Sequence, residues 1–361
     1  MQKIQKLIIR HKAIFAVIAM VIFVGVAQLL YMQNKKTVVA ETAQTDTFTY
    51  KCTGSDTQSV QCLRQKYQIM TKTKGVKATF ATLKAAYQTD PSVRADCHQL
   101  THVIGRTEAD KVDDVDKAFS QGDNFCWSGY YHGVMESIAK RIGYANLPAK
   151  LSTICAGIKA SKPYSFYHYN CVHGLGHGVM DVTDSDLFKS LKMCDLLLDS
   201  WERQSCYGGV FMENVMDEVN PDHHTSFFKA DDPMYPCTAV DDTYKEQCYL
   251  MQTSHALYAS SEDFAKVFDE CGAIEPNYKD TCYQSLGRDA SGNSTSSVGQ
   301  TRATCMLGKT LDARENCVIG AVKDFVSYFH SDKQAIAFCK SLDSNLQETC
   351  LSTEKDYYTT F

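Results

Sequence analysis

Tyr169–Met180 reads YNCVHGLGHGVM, with His173 and His177 four residues apart behind Cys171 and with Gly174, Gly176 and Gly178 interleaved. On a helix, residues i and i+4 share a face, so this spacing stacks two imidazoles and supplies half a metal site. The theme occurs twice more upstream. Cys97 opens CHQLTHVIG, with His98 and His102 at the same spacing, and Cys126 opens CWSGYYHGVMES, with His132 and Glu136. Imidazoles and a carboxylate are donors for zinc, copper and iron. His98, His102, His132, Glu136, His173 and His177 are therefore the candidate ligands of a divalent transition metal, zinc or copper first and iron third. Glu136 is either a ligand or an acceptor behind one. The opposing reading leaves the same histidines metal-free, as polar groups satisfied by neighbouring helices under a glycine-rich packing seam. A metal-dependent hydrolase or oxidoreductase is a narrower third reading, because it needs an open coordination position and a base such as Glu136 or Glu213.

Three glycines in five residues each cost a helix roughly 1 kcal/mol against alanine, so something must come close to this backbone to hold it. Other chemistries find little support. H-E-x-x-H and G-x-S-x-G are absent, and GLGHGVMD has no strand before it, which excludes a nucleotide-binding loop. No C-x-x-C-H occurs, so covalent haem is excluded as well. His223-His224 lies in EVNPDHHTS and reads as a solvated loop, and Asn293-Ser294-Thr295 is a glycosylation sequon of a kind that chance supplies often.

The elements that position these residues must come from a chain of 361 residues, 44% hydrophobic and 22% charged with 7 prolines, a composition that folds rather than stays disordered. The formal net charge is −5, but Lys3, Lys6, Arg10 and Lys12 precede an apolar segment with no acid among them, so the remainder carries −9. Such a body repels phosphate backbones, which argues against nucleic acid and suits cations. From Ala13 to Met32 the chain is uncharged, and twenty helical residues cover about 30 Å, the thickness of a bilayer's hydrocarbon. Fewer cations follow (Lys35, Lys36) than precede, which places the N-terminus in the cytoplasm and the bulk outside, at the cell membrane. Val38-Val39-Ala40 has the form of a cleavage site, but the apolar run is too long and too far from it, so a retained signal-anchor is preferred. The expected division is a basic tail (1–12), a transmembrane anchor (13–32), a polar linker (33–50) and an extracytoplasmic cysteine-rich α-repeat domain (51–361), histidine-rich over 97–180.

Sixteen cysteines without a single C-x-x-C read as disulfides in an oxidising compartment. Cys52–Cys62, Cys155–Cys171, Cys194–Cys206, Cys237–Cys248, Cys271–Cys282, Cys305–Cys317 and Cys339–Cys350 form neighbouring pairs with 9, 15, 11, 10, 10, 11 and 10 residues between members. The second members recur with a period near 35 residues, the size of a helix–turn–helix unit in a solenoid. Amphipathic runs precede the first cysteines (DSDLFKSLKMC, SSEDFAKVFDEC) and follow the second (CYGGVFMENVM, CVIGAVKDFVSYF). The expectation is a helix ending at each first cysteine, a loop, and a second helix starting at the second cysteine, clipped across the loop. Each clip contributes about 3 kcal/mol in the chain-entropy account. Cys97 and Cys126 lack neighbours and either pair with each other or stay free. No strand-like alternation appears, so the fold class is all-α: a helix–turn–helix repeat solenoid clipped by disulfides, preceded by one transmembrane helix.

In its cysteine pairs from Cys155 to Cys350 and its aromatic–glycine starts CYGG and CYQSLG, the chain resembles the disulfide-clipped, Sel1-like branch of the tetratricopeptide-type repeats. The resemblance implies a right-handed superhelix whose second helices line a concave face that binds peptides or proteins. An envelope protein or peptide in that concavity is thus the alternative partner. Counted from the second cysteines, positions +6 and +7 hold His132, His177, Met212, Ser254, Arg288 and Lys323, then Gly133, Gly178, Glu213, His255, Asp289 and Asp324. Peptide binding would make Arg288, Lys323 and Asp324 matter as much as the histidines, whereas a metal site would not.

Overall fold

The computed structural model describes residues 56–112, 114–217, 225–293 and 297–359. The apolar segment 13–32, the linker, Cys52, His223-His224 and the sequon's Ser294 and Thr295 lie outside the described residues. The first half of the described chain forms helices α1 (Asp56–Lys74), α2 (Val76–Thr89), α3 (Pro91–Ala95), α4 (Cys97–Ala109), α5 (Val115–Phe119), α6 (Gly129–Ile142), α7 (Leu147–Ile154), α8 (Ala156–Ser161) and α9 (Phe166–Val182). The second half forms α10 (Leu187–Cys194), α11 (Ser200–Asp217), α12 (Asp242–Ala259), α13 (Phe264–Ala273), α14 (Lys279–Asn293), α15 (Val298–Cys305), α16 (Leu311–Phe329), α17 (Lys333–Lys340) and α18 (Ser344–Tyr358). Among the described residues there is no strand, only an isolated bridge between Lys229 and Asp232. No described helix is long and apolar enough to cross a membrane.

The longer helices α1, α4, α6, α9, α11, α12, α14, α16 and α18 pack one against the next in chain order, and the shorter ones lie between them, as an α-repeat architecture requires. Short polar side chains start several of these helices by accepting orphan backbone N–H groups: Asp90 for α3, Ser165 for α9, Asp186 for α10, Asp263 for α13 and Thr310 for α16. Each such cap contributes about 1 kcal/mol.

Disulfides join Cys97–Cys126, Cys155–Cys171, Cys194–Cys206, Cys237–Cys248, Cys271–Cys282, Cys305–Cys317 and Cys339–Cys350. Cys62 is bonded too, to a partner outside the described residues, and no described cysteine is free. This density of bridges fits an oxidising, extracytoplasmic environment. One expectation needs correction. The second cysteines do not start their helices: Cys206 lies in the second turn of α11, Cys248 in that of α12 and Cys317 in that of α16. The caps, such as Thr310 on α16, begin these helices earlier, so the loops are shorter than the cysteine spacing suggests. Cys237 also departs from the pattern, lying in a turn rather than at the end of a helix.

The array closes on itself. The Trp127 indole N–H donates to Asp324 on α16 at 2.7 Å, and the Tyr328 hydroxyl donates to Tyr87 on α2 at 2.7 Å. Trp127 and Tyr328 also meet edge to face, 4.3 Å between ring centroids. These contacts join residues 197 and 241 positions apart and bring α16 against the turn before α6 and against α2.

Candidate metal centre

Close backbone crossings bring the histidine helices together. A Cβ on Gly133 of α6 would overlap the carbonyl of His102 on α4, and one on Gly105 of α4 would overlap the carbonyl of Tyr130 on α6. The same reciprocal contact joins α9 and α11 through Gly176 and Gly209. In YNCVHGLGHGVM, Gly174 and Gly178 face α6 while Gly176 faces α11, which accounts for the three glycines that helix propensity disfavours. With backbones this close, short side-chain reach suffices for residues of three helices to meet.

His98, His102, His132, His173 and His177 meet there. Ring centroids are 4.5 Å apart for His98 and His102, 5.3 Å for His102 and His132, 4.8 Å for His132 and His177, and 5.1 Å for His173 and His177. His102, His132, His173 and His177 are buried and His98 is half-buried. Potential ligand atoms fall into three sets, each within 4.8 Å: His98/His102/His132, His132/His173/His177, and Glu136/His177/Glu213.

The hydrogen bonds behind the rings are ordered. His98 Nδ1 lies 2.9 Å from the Cys126 carbonyl, which only accepts, so Nδ1 carries the proton. That carbonyl is aimed by a turn in which Cys126, Trp127 and Ser128 have φ of 56°, 54° and 59°, a left-handed run costing of order 1 kcal/mol or more per residue. The Cys97–Cys126 bridge ties this turn to the start of α4. His102 Nδ1 donates to Glu136 at 2.6 Å, and Arg106 donates to the other oxygen of the same carboxylate. Burial alone would raise the Glu136 pKa, but His102 and Arg106 hold it well below the usual carboxylate range. His177 Nδ1 donates to Glu213 at 2.5 Å, and His173 Nδ1 lies 3.1 Å from the Tyr169 hydroxyl. These Nδ1 contacts turn Nε2 inward: the Nε2 atoms of His98 and His102 are 3.0 Å apart, and those of His173 and His177 are 3.3 Å apart. His132 differs from the other four, because its Nδ1 is buried with no hydrogen-bond partner. Burial, followed by the neighbouring imidazoles, pushes His98 down to about 3 and holds His132 and His173 well below the ordinary histidine value.

The geometry thus brings all six candidate residues together, with Glu136 behind His102. Spacing singled out the five histidines and Glu136, but Arg106 and Tyr169 were missed. Their signal was present: His98, His102 and Arg106 on α4, and Tyr169, His173 and His177 on α9, are steps of four along one face of their helix. His168, in the same helix as His173, is a fully satisfied histidine outside the cluster. Its Nδ1 accepts from the Tyr164 N–H at 3.1 Å and its Nε2 donates to Glu202 at 3.0 Å. The later-repeat residues do not join the cluster: Arg288 and Asp289 bond each other at 2.7 Å, and Asp324 bonds Trp127 and Ser291.

Comparison with protein-family models, curated proteins and solved structures returns no match to this chain. The chain is a disulfide-rich, all-α protein, consistent with an α-repeat architecture, whose buried histidine and glutamate groups could hold a metal ion.

Proposed function

We propose that this chain is a membrane-anchored, extracytoplasmic protein that binds a divalent transition metal through Nε2 of its clustered histidines. The observation that carries the reading is a proton count. His98 donates from Nδ1 to a carbonyl and His102 donates from Nδ1 to an ionised carboxylate, so in the neutral rings both Nε2 atoms are bare acceptors, 3.0 Å apart. Two lone pairs facing each other at that distance repel unless a cation joins them. A proton held on His98 there would make it an imidazolium, which burial disfavours. Two imidazole nitrogens on one tetrahedral zinc at about 2.0–2.1 Å lie roughly 3.3–3.4 Å apart, close to both observed separations. The carboxylate behind an imidazole is the arrangement that orients a ligating histidine and raises its basicity.

All-imidazole donors suit zinc and copper, with iron third. Glu136 and Glu213 are both committed to imidazoles, which favours binding or delivery over a hydrolytic role for either as a free base. Anchoring is supported by the uncharged run Ala13–Met32 with its preceding cations, and the extracytoplasmic placement by the disulfides. The test is elemental analysis of the full chain without a polyhistidine tag, beside a His132→Ala/His177→Ala variant of confirmed fold. Near-stoichiometric metal that disappears in the variant is expected. No retained metal after reconstitution with zinc, copper and iron in turn would defeat the proposal and leave a structural cluster.

A further inference from the structure

We propose that the cluster is a dinuclear centre: one ion on Nε2 of His98 and His102, a second on Nε2 of His173 and His177, and His132 bridging them through both ring nitrogens. The inference rests on the metal-binding reading above and goes on to the number of ions and the role of His132.

Two observations carry it. The first is the grouping of donors. Ligands of one ion at about 2.1 Å can be at most roughly 4.2 Å from each other. The five imidazoles do not form one set within 4.8 Å but two sets of three, and His132 is the histidine common to both. The inward-facing pairs belong to different helices, α4 and α9, with α6 and His132 between them, so each pair is an edge of a separate coordination sphere.

The second is the way the Nδ1 atoms are used. His98, His102, His173 and His177 each have an Nδ1 partner: the Cys126 carbonyl, Glu136, the Tyr169 hydroxyl and Glu213. A histidine that ligates through Nε2 needs such a partner to fix its ring and tautomer. His132 has none, and its Nδ1 is a buried, unpaired polar atom of a kind that costs about 1–3 kcal/mol to leave unsatisfied. A bridging imidazolate satisfies both nitrogens with metal ions and has no N–H left to place. The step balances as two divalent ions and one neutral imidazole giving the bridged pair and one proton released to solvent. The carboxylates of Glu136 and Glu213 stand close enough to offset part of the added charge.

The experiment uses the oxidised full chain in detergent, loaded with copper(II), desalted, and measured for copper per chain and by electron paramagnetic resonance. Two copper ions per chain are expected, with their resonance suppressed or split by coupling through the bridge. His98→Ala/His102→Ala and His173→Ala/His177→Ala are each expected to halve the copper, leaving one uncoupled ion. One ion per chain in the wild type would overturn the dinuclear proposal while leaving the metal-binding reading intact. Two ions with uncoupled spectra would overturn the bridge, and no bound copper, zinc or iron would overturn both readings. The wild-type measurements decide the matter even where a double variant fails to fold.

Discussion

The α4–α6 and α9–α11 crossings and the α14–α16 crossing are built alike but filled differently. In α14–α16, Gly287 meets the Cys317 carbonyl and Gly320 meets the Gln284 carbonyl, the same reciprocal glycine contact that joins the histidine helices. Beside it, the polar groups form a closed account. Asp289 accepts from Thr253, Ser254 and Arg288, Arg288 also donates to the Leu250 carbonyl, and Asp324 accepts from Ser291 and Trp127. Donors and acceptors match there, and nothing further is needed. Around His98, His102, His132, His173 and His177 acceptors outnumber donors. Glycine crossings therefore do not make a site; a donor deficit inside one does.

The largest expected effect tests the shared half of this comparison. Gly133→Ala and Gly320→Ala each force a methyl into a facing carbonyl and should destabilise by about 3 kcal/mol, at the upper end for overpacking. Thermal unfolding should show similar losses for both, while metal per folded chain falls only in Gly133→Ala. Equal metal loss in the two would mean that the halves are not independent.

A second prediction uses pH on the closed network. Burial first of all raises the Asp324 pKa from 3.8 to about 6, against the lowering hydrogen bonds from Ser291 and Trp127. A carboxyl with a raised folded-state pKa binds its proton more tightly in the folded form. Its stabilising contribution is complete below about pH 4 and is lost as pH rises through about 6. Asp324→Asn removes that slope, so relative to wild type the variant should gain up to about 3 kcal/mol between pH 4 and pH 7.5. Parallel urea-denaturation midpoints across that range would contradict the assignment.

Behind the histidines, Glu136→Gln keeps the shape but removes the charge that His102 and Arg106 share. Metal affinity should fall about 10- to 100-fold, measured by competition with a chelator, with the fold retained. An unchanged affinity would show that His102 needs no carboxylate. The smallest effect is expected at Lys323, whose ammonium donates to Gln284 at 3.0 Å. Lys323→Met should leave metal content unchanged and alter stability by no more than about 1 kcal/mol. A change in metal content there would bring the two halves into one functional unit.

Much of this was legible in the chain. Cysteine spacing points to the neighbouring bridges, and the four-residue steps from His98 to His102 and from His173 to His177 place each pair on one helix face, because helix pitch is a local property. The absence of period-two alternation was enough for the all-α class. Local signals went wrong where caps competed with them: Ser165 and Thr310 start α9 and α16 earlier than the cysteines suggested.

What the sequence determined by itself is therefore the helical repeat, its clips and the facing of each histidine pair. Tertiary structure alone decided that the pairs meet, that Glu136 and Glu213 stand behind different rings, that His132 lies between the pairs without an Nδ1 partner, and that α16 returns to Trp127 and Tyr87. These depend on how near two helices come. That distance is set by glycines touching carbonyls some 30 residues away in the chain, a relation with no period to read in a single sequence.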